Sequence, residues 1–288
     1  MPVTTKGAEE DRCGTLYVVA TPIGNLEDLT SRALRILREV DLVAAEDTRH
    51  SRKLFNHYGI ETPLTSYFQH NEASKGEQLL HALLEGRNVA LISDAGTPAI
   101  SDPGCLLVQR CHEAGIPVSA IPGPSALIAA LSMAGLPTER FAFDGFLPAK
   151  THARSQTLRT LRQEQRTTVF YEAPHRLAAA LQDVRKELGD GRQVAVVREL
   201  TKVHEELFRG TAAEACEHFL GKVRGEIVLL IGPAEVSAPE ESVRDALRRW
   251  RDETDLPMRE IVKQVAKLYG LSGSEVYKES LALRDEEK

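Results

Sequence analysis

Short apolar runs alternate with amphipathic stretches along the first half of the chain. Leu16 to Ala20 is apolar at every position, the pattern of a strand buried on both faces. It stops at Thr21-Pro22-Ile23-Gly24-Asn25. From about Thr30 the period becomes helical, with Ala33, Leu34, Leu37 and Val40 on one face. Leu42 to Ala45 predicts the next strand. A helix through Leu54, a short strand near Leu64 and a helix around Leu79 to Leu84 follow. Val89 to Ile92 is a strand running into Ser93-Asp94-Ala95-Gly96-Thr97-Pro98. A helix near Leu106 leads to a strand at Val118 to Ile121, which ends at Pro122-Gly123-Pro124-Ser125 and gives way to a small-residue helix reaching Met133.

The second half has a different rhythm. The break at Gly135-Leu136-Pro137 and the segment Phe141 to Phe146 mark a change of domain. Strands are expected at Thr168–Tyr171, Val194–Val197, Glu206–Phe208 and Ile227–Ile231, with helices between only some of them, which predicts a mixed sheet. Ala234 to Glu240 has the small and charged residues and the proline of a linker. Helical spacing returns afterwards. Ile261, Val265 and Leu268 share a face, Leu271-Ser272-Gly273-Ser274 interrupts it, and Val276, Tyr277 and Leu281 resume. Ser272 or Ser274 is a candidate cap with Glu275 in the first turn. The expected organisation is a disordered tail over 1–13, an α/β domain over 14–136, a second α/β domain over 137–233, a linker over 234–240 and a helical module over 241–288.

Composition narrows this picture modestly. The chain has 288 residues, enough for two cores, and no apolar run of the roughly 20 residues that a membrane span needs. Met1 to Arg12 is polar, without the apolar stretch of a signal peptide, so a cytoplasmic protein with no membrane partner is expected. Cys13, Cys105, Cys111 and Cys216 lack zinc or CxxC spacing and are expected to be reduced thiols, with no metal site. The net charge of −6 disfavours a general nucleic-acid coat but not a local basic surface. Such a surface is expected between Leu147 and Arg176, where Lys150, Arg154, Arg159, Arg162, Arg166 and Arg176 face only Glu164 and Glu172.

The candidate chemistry sits where strands end. Thr21-Pro22-Ile23-Gly24, Glu46-Asp47-Thr48-Arg49, Ser93 to Pro98 and Pro122 to Ser125 each follow the carboxyl end of an expected strand, the edge at which open α/β sheets bind ligands. Turn chemistry alone accounts for any one of these loops; four on one edge, two carrying carboxylates, point to a crevice. Neither a phosphate-cradling GxxxxGK[ST] loop nor a GxGxxG after the first strand is present. Asp94 offers acceptors for a hydroxyl or amine, Gly96 permits close backbone approach, and Ser125 opens a helix where a carboxylate binds well. These demands suit an adenosyl amino acid, although spacing does not select it.

The same residues carry a family resemblance. Leu16 to Thr30, Ala44-Ala45-Glu46-Asp47-Thr48-Arg49-His50, Ser93 to Pro98 with Ile100-Ser101-Asp102-Pro103-Gly104, and Ile121 to Ala126 resemble segments of the ribosomal RNA small-subunit methyltransferase I family. Phe170-Tyr171-Glu172-Ala173-Pro174-His175-Arg176 and Arg198-Glu199-Leu200-Thr201-Lys202 extend the match from about Gly14 to Gly232, and the tail resembles the family's helical module. The resemblance implies a two-domain, tetrapyrrole-methylase-type (class III) methyltransferase with a small C-terminal helical module. It implies a homodimer, S-adenosylmethionine held between the domains by Pro22, Asp94, Thr97, Ser125, Ala126, Glu172 and Leu200, and 16S rRNA or the 30S subunit as partner. The reaction implied is 2′-O-methylation of a decoding-centre cytidine. Where the family reads Ser-Tyr-His-Glu-His-Asn-Glu this chain has Ser66-Tyr67-Phe68-Gln69-His70-Asn71-Glu72, so no role of the first His-Glu pair transfers.

A ribose hydroxyl is a poor nucleophile and benefits from a base or a nearby cation. Asp47 is the first candidate, because it follows a strand end and is expected to face the crevice; Lys202 and His70 are alternatives. Arg49, Arg154, Arg159 and Arg162 are the expected RNA contacts. Two rivals remain open: another enzyme of the same fold acting on a tetrapyrrole ring or a modified protein side chain, and a non-catalytic RNA-binding protein. Binding of S-adenosylmethionine separates the second from the first reading.

Overall fold

The computed structural model describes residues 13–235 and 241–286. The expected tail, apart from Cys13, and residues 236–240 of the expected linker lie outside the described residues. The chain divides into two compact units, Met1–Pro233 and Ala234–Lys288.

The larger unit opens with β1 (Leu16–Val19), α1 (Ser31–Glu39), β2 (Leu42–Ala45), α2 (Thr48–Tyr58), β3 (Leu64–Ser66), α3 (Glu72–Leu84), β4 (Val89–Ile92), α4 (Cys105–Glu113), β5 (Val118–Ile121) and α5 (Ala126–Ala134). The five strands pair in parallel in the order β3-β2-β4-β1-β5. The runs of β1, β2 and β4 are apolar throughout because both faces are covered. Ala33, Ile36 and Leu37 of α1 and Leu54 and Phe55 of α2 pack with Val19, Val43 and Ile92. Leu79 and Leu83 of α3 and Leu107 of α4 pack with Leu16, Ala44 and Leu91 on the other face. Thr30 caps α1, its hydroxyl accepting from the Ala33 N–H at 3.1 Å.

The second sheet follows, with β6 (Phe141–Phe146), α6 (Thr151–Thr160), β7 (Thr167–Glu172), α7 (Leu177–Leu188), β8 (Gln193–Arg198), β9 (Glu206–Thr211), α8 (Ala212–His218) and β10 (Ile227–Ile231). Its order is β6-β7-β10-β8-β9, with β6 parallel to β7 and the other pairs antiparallel, so the sheet is mixed as the uneven spacing of helices predicted. Phe141 to Phe146, expected only as a domain change, is itself the edge strand. Its period is broken by a register shift between Phe143 and Phe146, where Gly145 takes φ +67°, and this hides it in the sequence. Alternate residues of β10 serve two cores. Ile227, Leu229 and Ile231 pack with α6, α7 and α8; Val228 and Leu230 pack with Leu127, Ala130, Leu131 and Ala134 of α5. Helix α5, expected to close the first domain, therefore buries its face on the second sheet and joins the two halves through one core.

The smaller unit contains α9 (Val243–Glu253), α10 (Met258–Tyr269) and α11 (Gly273–Glu286). Ala246, Leu247, Ile261, Val265 and Val276 form its own core. Of the two serines considered for the last cap, Ser272 takes the role. Its hydroxyl accepts from the Glu275 N–H at 3.3 Å and its own N–H donates to Glu275 Oε2 at 2.9 Å.

Candidate active site

The loops after β1, β2, β4 and β5 are bonded to one another at the carboxyl edge of the first sheet. Thr21 N–H donates to the Gly96 carbonyl at 2.9 Å, and Gly96 N–H returns a bond to the Thr21 carbonyl at 3.0 Å. The Thr21 hydroxyl donates to the Ser93 carbonyl at 3.2 Å. Asp47 N–H donates to Asp94 Oδ1 at 3.0 Å, and the Thr97 hydroxyl donates to the Pro124 carbonyl at 3.4 Å. Gly96 lies at φ +80°, a conformation that leaves little room for another residue.

A cleft of about 380 Å³ opens between these loops and the second sheet, within the usual range of small-molecule sites. Ile23, Glu46, Asp94, Gly96, Thr97, Asp102, Ser125 and Ala126 line it from the first half. Phe146, Tyr171, Glu172, Leu200 and Glu226 line it from the second. Backbone strain is concentrated beside it. Among the described residues, the non-glycine positions with positive φ are Ala99 and Ser101 in the β4 loop, and Glu199 and Thr201 in the loop after β8. Such conformations persist where the surrounding structure fixes a functional loop.

The cleft is acidic, and its carboxylates perturb one another. Burial raises the pKa of Glu46, with the negative charges of Asp94 and Asp47 adding to the shift while a bond from the Asp94 backbone opposes it. Burial, then the charges of Glu46 and Asp94, push Asp102 up to about 6; a hydrogen bond from Ser93 offsets part of the effect. Glu172 is buried at the end of β7. Its Oε1 accepts from Ala173 N–H at 2.7 Å and from the Arg176 guanidinium, whereas its Oε2 is buried with no partner among the described residues. An acceptor left bare in such a place calls for a ligand donor.

Of the residues expected to hold the cofactor, Asp94, Thr97, Ser125, Ala126, Glu172 and Leu200 all line this cleft; at the β1 loop Ile23 lines it rather than Pro22. The three catalytic candidates, Asp47, Lys202 and His70, do not line it. Asp47 caps α2 instead of facing the cleft. Its Oδ1 accepts from Arg49 N–H at 2.8 Å and its Oδ2 from the Arg49 guanidinium at 2.8 Å, and these bonds hold its pKa well below the usual carboxylate range. Lys202 Nζ donates to Glu199 at 2.9 Å and Glu226 at 3.1 Å; burial works against its charge, but the two carboxylates outweigh burial and raise its pKa. His70 is exposed.

The expected RNA contacts are equally redistributed. Arg49 projects with 90% of its side chain exposed while bonded to Asp47. Arg154 is buried, its guanidinium bonded to Asp183 at 2.7 Å, so it serves the α6–α7 interface and presents no charge to a phosphate. Arg159 and Arg162 are half-exposed and share Glu187. The fold brings the α7 acids Asp183 and Glu187 back to this segment and offsets its excess of basic residues. Asp102 lies in the Ile100–Gly104 segment, and nothing in the linear sequence shows that Glu46 and Asp94 share its surroundings in the cleft.

The fold and this interdomain site define a class of methyltransferase. The pattern described as Tetrapyrrole (Corrin/Porphyrin) Methylases matches residues 15–216. Solved structures show the same fold. Uroporphyrin-III-C-methyltransferase from Thermus thermophilus aligns with a TM-score of 0.56 at 22% identity, over 76% of this chain and 94% of that one. Diphthine synthase aligns with a TM-score of 0.58 at 14% identity, over 76% and 89%. The chain belongs to the ribosomal RNA small subunit methyltransferase I family. It is 49% identical to that protein from Synechocystis sp. over 94% of this chain and 98% of the relative. It is 47% identical to the Pseudomonas aeruginosa protein over 93% and 97%.

Proposed function

We propose that this chain uses S-adenosylmethionine to methylate the ribose 2′-hydroxyl of a decoding-centre cytidine in 16S rRNA. The observation that carries the reading is the acidic interdomain cleft, whose buried Glu172 Oε2 has no protein partner among the described residues. The residues fit the cofactor. Glu172 and Asp94 supply acceptors for its amine and hydroxyl groups, Gly96 admits close backbone approach, and the carboxylates favour a cationic ligand. Ser125 at the start of α5 suits its carboxylate. The membership of a methyltransferase family points the same way.

When bound, S-adenosylmethionine supplies a methyl group already activated by the sulfonium charge. The chain's own contribution is to hold the hydroxyl in line and accept its proton. Asp102 is the proton acceptor in this reading, because it lines the cleft and has the proton affinity that Asp47 lacks. Burial sustains that affinity, and the charges of Glu46 and Asp94 add to it. Phe146 and Tyr171, 5.6 Å apart between ring centres, offer apolar surface for a base. The protein is expected to act in the cytoplasm as a homodimer; sedimentation of the purified chain tests the second point. The test of the reaction is to map 2′-O-methyl groups on 16S rRNA from a strain lacking this protein and to restore them with the purified chain. An unchanged methylation map in the deletion strain refutes the substrate.

A further inference from the structure

A second concavity, of about 450 Å³, lies beside the active cleft, walled by Arg198, His204, Glu206, His218, Lys222 and Arg224. Its charges are not equally committed. Glu206 accepts from the Arg198 guanidinium and bonds His218 Nε2 at 2.8 Å, and these contacts hold its carboxyl below the usual range, the His218 bond contributing most. Glu199, on the same wall, is matched by Lys202. The Lys222 and Arg224 side chains have no ion-pair partner among the described residues, and both are exposed. Positive charge therefore remains at the rim after the internal pairs are balanced.

The groove and the cleft share one piece of chain. Lys222 and Arg224 line the groove, while the next residues, Gly225 and Glu226, line the cleft. The loop is held to the opposite wall at its turn. Glu199 Oε1 accepts from the Glu226 N–H at 3.1 Å, and a Cβ on Gly225 would meet the Glu199 carboxyl at 2.3 Å. Register fixes the separation. Ile227 pairs with Glu172 on one side and with Arg198 on the other, so the two side chains stand two strand spacings apart, about 10 Å between backbones.

We infer that this groove binds the RNA phosphate next to the methylated nucleotide, through Lys222 and Arg224 at its rim. The inference rests on the rRNA reading above. A 2′-hydroxyl in an RNA chain sits on the carbon next to the one bearing the 3′-phosphate. Any nucleotide placed in the cleft therefore carries an anion a few bonds from the reacting oxygen. The cleft repels that anion, because Glu46, Asp94, Asp102, Glu172 and Glu226 all line it. The adjoining groove offers uncommitted cations, Lys222 and Arg224, on the loop whose next residues line the cleft. One loop thus separates an acidic compartment for the cationic methyl donor from a basic compartment for the backbone.

The experiment is to measure binding of the full chain to a protein-free 16S decoding-region RNA over a salt series, in the parent and in Lys222→Gln/Arg224→Gln. S-adenosylmethionine affinity is measured in parallel by calorimetry. The double variant is expected to bind RNA at least about tenfold more weakly, with a log–log salt slope shallower by roughly 0.7, the value for one lost single-strand phosphate contact. Cofactor affinity should stay within twofold, which also reports that the variant is folded, and Arg224→Lys should keep most of the RNA affinity. Unchanged RNA affinity and slope beside a parent that binds RNA overturns the groove and leaves the substrate reading standing. Weaker binding to the 30S subunit alone, with naked RNA unaffected, assigns the groove to a protein and overturns it too. A parent chain that neither binds nor methylates RNA removes the substrate reading, and the groove's role with it.

Discussion

The backbone N–H of Asp47 donates to the carboxylate of Asp94 across 3.0 Å, and the two residues belong to loops that follow neighbouring parallel strands. The bond uses one oxygen of Asp94 to set the relative position of the β2 and β4 loops while the residue lines the cleft. Asp94 thus joins the geometry of the two loops to the lining of the cleft, and Asp47 enters this contact through its backbone N–H rather than its carboxylate.

Asp94→Ala is accordingly expected to weaken S-adenosylmethionine binding by about 10- to 100-fold, corresponding to roughly 1–3 kcal/mol for partners left unsatisfied. Calorimetry on a variant with parental circular dichroism checks it. Unchanged affinity would remove Asp94 from the cofactor site.

Arg154 gives a prediction opposite in kind to the one its sequence position suggested. Its guanidinium and the Asp183 carboxylate are both largely buried, and it also bonds the Pro148 and Ala149 carbonyls at 3.4 and 3.3 Å. Arg154→Ala leaves Asp183 buried without its partner and is expected to lose about 3–5 kcal/mol of stability in urea unfolding. RNA affinity of the remaining folded protein should match the parent. A stable variant with weakened RNA binding would restore the phosphate-contact reading.

The helical unit supplies a third test. Arg244, Arg248, Arg249 and Arg251 lie on α9, and each also meets an acid: Glu279, Asp245, Glu241 and Asp252. The unit has its own apolar core. A chain ending at Gly232 is expected to bind S-adenosylmethionine as the parent does and to lose activity at limiting RNA. Parental activity under those conditions would deny the unit a role in docking.

Period and run length made most strands and helices legible. Strands such as Leu16–Val19 and Val89–Ile92 are buried on both faces, so their apolar runs are uninterrupted. The edge strand Phe141–Phe146 escaped because its bulge breaks the alternation. The cleft was readable because glycine and carboxylates cluster at the strand ends that line it. The electrostatics within it were not. Asp47 and Asp102 look alike as letters, yet bonds from adjacent Arg49 lower one, while burial and then the charges of Glu46 and Asp94 raise the other. The basic segment misled because its counter-charges, Asp183 and Glu187, lie on a helix that returns to it only in the fold.

Asp102 carries the last prediction, in which rate, pH and stability move together. A carboxyl with a pKa of about 6 is mostly ionised at neutral pH and binds a proton about 100-fold more tightly than an ordinary aspartate, which suits a general base. The value of kcat/KM with S-adenosylmethionine varied reports the free enzyme, and should rise as pH passes through about 6. At saturating donor the midpoint should fall, because a nearby positive charge favours the ionised form. Asp102→Asn should lose roughly 10²-fold or more in single-turnover rate and abolish this acidic limb. The stability sign is opposite. Because the folded-state pKa lies above the unfolded value, the folded chain holds the proton more tightly, and stability is lost as pH rises through about 6. The amide removes that loss, so Asp102→Asn should melt higher than the parent at pH 7.5 and close to it at pH 4. After allowance for solvent screening the gain is of order 1 kcal/mol, or about 2 °C in Tm. A variant that keeps a rate within a few-fold of the parent and its acidic limb would release Asp102 from the proton transfer. A variant that is slow but no more stable at pH 7.5 would show that the carboxylate cluster does not strain the fold.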